Sequence, residues 1–84
     1  MPSYLVETFL ARSEAGERPE RERRARAAAE ELSRGGARVA YDHAIHVPDD
    51  EICFFVFEAP SSLDAAQAAK LAGLEAVRVV RSES

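Results

Sequence analysis

Two histidines three residues apart, His43 and His46, are the first side chains in this chain whose type suggests a metal site. Imidazole is a common ligand of transition metals. At this spacing the two rings would share one face of a helix but point to opposite faces of a strand. The surrounding segment, ARVAYDHAIH, reads as a strand, so the pair is not expected to chelate one ion. His43 is expected on the face of Tyr41 and Val39, and His46 at the strand end near Asp49, Asp50 and Glu51. Each is therefore a separate candidate ligand. The single thiol, Cys53, lies in the apolar run ICFFVF, where sulfur usually packs as a small hydrophobe, and no His or Asn is placed to make it a nucleophile. Glu7 and Glu58 each interrupt an apolar strand. A carboxylate near a sheet face needs a cation, a hydrogen bond or a proton, and Arg78 in the last strand is the natural partner of Glu7. Tyr41, His43, Glu7 and Glu58 are the polar groups from which a catalytic pocket would be built. No glycine-rich phosphate loop, paired-cysteine motif or nucleophile elbow is present.

The elements that must hold these groups follow from residue type and punctuation. SYLVETFL (residues 3–10) alternates around Glu7 and reads as a strand, and the polar ARSEAGER after it as a loop. From Pro19 to Arg34 the chain is almost entirely Glu, Arg, Ala and Leu, with proline where a first helical turn tolerates it and Gly35-Gly36 as a stop. Ala25, Ala28 and Leu32 mark the face of this helix that docks. Its five arginines from Arg18 to Arg26 resemble a basic patch, but they are interleaved with glutamates. The pairs Glu17–Arg21, Glu20–Arg24 and Glu22–Arg26 have the spacing of a solvated, ion-paired helix. Residues 37–46 form a second strand, VPDDE a turn, and ICFFVFE (52–58) a third strand ended by Pro60. Ser61 and Asp64 form a capping box for a helix SLDAAQAAKLA that Gly73 closes. EAVRVVR (75–81) is a last strand, with Val77 and Val79 on one side and Val80 on the other, and the end of the chain over 79–84 is expected to fray in part. The order strand–helix–strand–strand–helix–strand predicts a single ferredoxin-like α+β domain over residues 1–84, a four-stranded antiparallel sheet with both helices on one face.

The third strand carries the clearest message about partners. Its residues from Ile52 to Phe57 are apolar on both sides, with three phenylalanines in four positions. A sheet face open to water should alternate apolar with polar, and an exposed patch of this kind is larger than monomers usually tolerate. A second copy, sheet on sheet, is the expected cover.

Composition bounds the rest. The 84 residues carry 11 basic and 15 acidic side chains, a net charge of −4, which argues against a dedicated nucleic-acid binder. A hydrophobic fraction of 46% argues against disorder, and no apolar run is long enough to cross a bilayer. The opening MPSYLVETFLARSE lacks the features of a secretory signal, and a lone cysteine suits a reducing compartment, so a cytoplasmic location is expected.

Tyr41-Asp-His43, the turn VPDDE, Cys53, Glu58-Ala59-Pro60 and Ala72-Gly73, with the opening Tyr4-Leu-Val-Glu7, resemble a family of small bacterial domains of unknown function that includes a nickel-binding or nickel-responsive branch. The likeness spans nearly the whole chain. It implies a ferredoxin-like homodimer and, for the characterised branch, nickel, with His43 at the family's strand histidine. The serine that usually follows that histidine is Ala44 here, and Ala68 stands where many members have a histidine in the second helix. Ten arginines against one lysine (Lys70) also fit a high-GC bacterial coding sequence. The expected function is a non-enzymatic homodimeric module that binds a small molecule or a nickel-type metal through His43 or His46. The alternative is a small cofactor-independent enzyme of the dimeric α+β barrel kind, an isomerase, cyclase or monooxygenase with its pocket between sheet and helices.

Overall fold

The computed structural model describes residues 1–82. Four strands, β1 (Ser3–Phe9), β2 (Ala40–Val47), β3 (Ile52–Glu58) and β4 (Ala76–Arg81), form one antiparallel sheet in the order β2-β3-β1-β4. Helices α1 (Arg18–Arg34) and α2 (Ser62–Leu71) join β1 to β2 and β3 to β4, which is the ferredoxin-like arrangement. The bounds of β3 are those read from its apolar run. Strand β2 starts three residues later than expected, and the loop before α1 winds into a 3-10 turn over Arg12–Glu17. Strand β4 is paired through Arg81, and the Ser82 amide still donates to the Ser3 carbonyl at 2.8 Å. The last two residues of the expected frayed end lie outside the described residues.

Large side chains come from the sheet and small ones from the helices. Val6, Thr8, Cys53, Phe55 and Phe57 are fully buried on the helix-facing side, against Ala25, Ala28 and Ala29 of α1 and Ala65, Ala68 and Ala69 of α2. Alanine stripes let both helix backbones approach the phenylalanine rings without voids. The one fully buried polar group of this layer, the Thr8 hydroxyl, donates to the Cys53 carbonyl at 2.7 Å. The Ser61 hydroxyl accepts from the Asp64 amide at 3.3 Å, so the expected cap of α2 forms. Gly73 ends that helix at φ +75°, where a side chain would be strained.

Two irregularities decide which way the edge strands face. In β2, Tyr41 pairs with Phe57 but His43 pairs with Val56, so Asp42 is an extra, bulged residue. In β4, Arg78 pairs with Glu7 but Ala76 pairs with Thr8, so Val77 is extruded and 65% exposed. Val77 therefore does not share a side with Val79 in the expected way. Val79 packs on the core and Val80 lies on the open face.

Candidate functional site

Register assigns every candidate residue to one of two surfaces. The face away from the helices is built from the rows His43–Val56–Leu5–Val80, Ile45–Phe54–Glu7–Arg78 and Val47–Ile52–Phe9, with Glu58 beside Ser3. The helix-facing side carries Tyr41–Phe57–Tyr4–Arg81, Ala44–Phe55–Val6–Val79 and His46–Cys53–Thr8–Ala76. His43 and His46 are thus on opposite faces, as strand geometry requires. The expectation that His43 shares a face with Tyr41 and Val39 is corrected: the Asp42 bulge turns His43 onto the open face and leaves Tyr41 under α1.

Tyr41 is held from three directions. Its hydroxyl donates to Glu22 Oε1 of α1 at 2.6 Å, its ring meets Phe57 edge-on at 5.5 Å, and the Arg26 guanidinium lies 5.3 Å from the ring centroid. Burial first, and then the hydrogen bond to Glu22, push its phenol well above the ordinary tyrosine value. A proton held this firmly suits a positional role more than acid–base transfer. Glu22 also accepts from Arg18 at 2.6 Å, so it is not free to pair with Arg26. Of the three expected ion pairs on α1, Glu17–Arg21 forms at 3.5 Å, while Glu20 engages Arg23 instead of Arg24.

On the open face, Arg78 Nε donates to Glu7 Oε1 at 2.7 Å, the partnership expected from their isolation among apolar strand residues. Glu58 is half-buried in the same face, and His43 is exposed, with Nδ1 3.3 Å from Asp42 Oδ2. The four polar groups considered for a catalytic pocket are therefore divided, Glu7, Glu58 and His43 on one surface and Tyr41 on the other. The layer between sheet and helices is packed core, open only at the end where β1 stops and β4 starts.

Among the described residues no group of three or more His, Cys, Asp or Glu side chains is placed to hold an ion. The acidic turn after β2 has another task. Glu51, at φ 54°, accepts from the Arg12 amide at 2.8 Å through its carboxylate, and Arg12 reaches back to the Asp49 carbonyl at 3.1 Å. These bonds tie the end of β1 to the β2–β3 turn. Cys53 is buried, and burial pushes its thiol up, which fits a packing role.

Sequence reasoning missed Arg24. The stripe Leu32, Ala28, Ala25 continues toward the helix start onto Arg24 and Arg21, placing two cations on the docking face of α1. That continuation was the available signal. No protein-family model, no curated protein and no solved structure matches the chain.

Proposed function

We propose that this chain is a non-enzymatic binding module that works as a homodimer, with the open sheet faces of two copies packed together. The observation that supports it is the composition of that face: Leu5, Ile45, Phe54, Val56 and Val80 stand there with the Glu7–Arg78 pair among them. Val56 is already 4% exposed in one copy, closed in by its neighbours, whereas Ile45 and Val80 keep about two-fifths of their surface in water. Four strands of about seven residues present roughly 400 Å² in projection, from strand spacing and rise. Two such faces together cover about 800 Å², below the range of stable interfaces and within that of weak, transient ones, so a reversible dimer with modest affinity is expected.

The same face holds His43 at its β2 edge. Among the described residues Asp42 is the one acidic side chain within ion-pair distance of the imidazole, so a nickel-type ion would need further donors from the second copy or from water. The metal part of the reading therefore depends on the dimer part.

Light scattering from micromolar to millimolar concentration should rise toward twice the chain mass, and Phe54→Glu should hold it at the monomer throughout, because it buries an unpaired carboxylate in the interface. A monomer mass for the unaltered chain sinks the proposal. Titration with nickel should shift the His43 imidazole resonances, and His43→Ala should abolish that response. Equal nickel binding by the variant removes the metal from the proposal and leaves the dimer standing.

A further inference from the structure

Where β1 ends and β4 begins, a cleft of about 500 Å³ opens between the strand ends, the first turns of α1 and the Gly73–Leu74 segment after α2. Its volume is within the range of pockets that hold small organic molecules. Arg21 and Arg24 of α1 both line it. Arg21 is engaged, donating to the Phe9 carbonyl at 3.3 Å and lying 3.5 Å from Glu17. Arg24 is not. Its Nε is sealed from solvent without a hydrogen-bond partner, and it enters none of the ion pairs of α1 among the described residues. A guanidinium is donor-only, with five N–H groups in a fixed fork that matches a carboxylate. The buried Nε fixes the plane of the guanidinium, and its Nη groups, which are neither sealed nor engaged among the described residues, are the donors that a ligand can meet.

The head of Arg24 is located by Gly73. A Cβ on that glycine would stand 3.5 Å from Arg24 Nη1, and Gly73 itself lines the cleft, so the fork reaches the cavity wall. The apolar lining comes from Leu74, Ala76 and Val77. Val77 is there because of the β4 bulge, which puts a large aliphatic side chain into water beside an orphaned cation. Bulges of this kind often re-aim a side chain at a site. Glu14 and Glu75 also belong to the lining, so its formal charge is zero. The glutamates disfavour a second negative charge on any ligand, which argues against phosphate and for a monoanion.

We propose that this cleft binds a small monocarboxylate with an apolar body, the carboxylate taken by the Arg24 fork and the body resting on Val77 and Leu74. The cleft meets the open sheet face at Phe9, but Arg24, Leu74 and Val77 are not among the residues of that face, so the site is tested separately from the dimer.

Phenylacetate is a suitable probe, with its neutral isostere phenylacetamide as the comparison at fixed ionic strength. Two-dimensional NMR of the full chain should show saturable shifts for the Gly73, Leu74 and Val77 amides and for the Arg24 Nε–H with phenylacetate. Phenylacetamide should leave them in place. Arg24→Met should lose the response while keeping a folded spectrum, and Arg34→Met, at the far end of the same helix, should retain it. Should Arg24→Met not fold, Val77→Asp serves instead. That exposed position tolerates a polar side chain, and the added charge should weaken binding by about tenfold or more. The proposal is overturned by equal responses to the two probes, by no localised response to phenylacetate, or by unchanged affinity in the folded variant. Shifts that sodium chloride reproduces mark simple ion pairing and overturn it too.

Discussion

Replacing Arg78 with leucine removes the only cation that hydrogen-bonds Glu7 among the described residues. The side chain of Glu7 is 15% exposed and that of Arg78 69%, so the two ends of this 2.7 Å bond pay very different desolvation costs. The bond as a surface pair is worth about 0.2–1 kcal/mol. The carboxylate left beside Phe54, with little water to replace the guanidinium, adds a penalty of about 1–3 kcal/mol. Arg78→Leu should therefore cost about 1–4 kcal/mol, and Glu7→Gln less, since a neutral amide demands less solvation and Arg78 can rehydrate. At roughly 4–8 °C of Tm per kcal/mol for a domain of this size, the first change is easily seen. Urea unfolding of both single variants and the double variant completes the thermodynamic cycle. In dilute solution the coupling should approach the cost of Arg78→Leu itself, because the stranded carboxylate is present only in that single variant. Over about a hundredfold rise in concentration it should grow if the sheet faces pair, because Arg78 then loses its water as well. Zero coupling at both ends of that range, or an Arg78→Leu variant as stable as the parent, refutes the reasoning.

Alkaline pH should destabilise the fold. The Tyr41 phenol and the Cys53 thiol are both held above their ordinary values by burial, so the folded state retains protons that the unfolded chain gives up. Their contribution is complete below the unfolded values, ~8.5 for the thiol and ~10 for the phenol, and is lost as pH rises past them. Tyr41→Phe should flatten the upper part of that fall in a urea-midpoint series, and an unaltered slope counts against the assignment. Gly73→Ala should cost about 1 kcal/mol through its left-handed backbone alone, since the new methyl meets Arg24 at ordinary contact distance. A neutral effect in thermal unfolding would show that the segment relaxes.

What could be read from the residues, and what could not, divides along physical lines. Strand β3 announced itself because six consecutive apolar residues, rich in phenylalanine and β-branched types, are too short a run for a helix, and Pro60 fixed its end. The Glu7–Arg78 pair was readable because each is an isolated charge in an apolar strand and the topology sets those strands side by side. The side chosen by His43 was not readable. The bulge that decides it falls on Asp42, with no glycine or proline to mark it, and one extra residue inverts everything after it. The same blindness hid the Val77 bulge. Arg24 was obscured for another reason: glutamates at spacing three and four offer the arginines of α1 several partners, and only the packed structure decides that Arg24, like Arg26, enters no ion pair among the described residues.

Both bulges fall on edge strands, β2 and β4, and so they bear on how the protein can associate at all. A straight edge offers a regular ladder of free amides and carbonyls onto which another strand can zip, and that kind of growth has no natural end. Here each border breaks step, at Asp42 on one side and Val77 on the other. The side-by-side route that leads to fibres is impeded at both margins, while the flat route through the open face stays available. Association through a face is self-limiting, because two copies cover each other and leave nothing further to add. The two misaligned residues, together with the charges of Asp42, Arg78 and Arg81 on the same strands, thus limit the edge-to-edge aggregation that a chain rich in apolar strand residues invites.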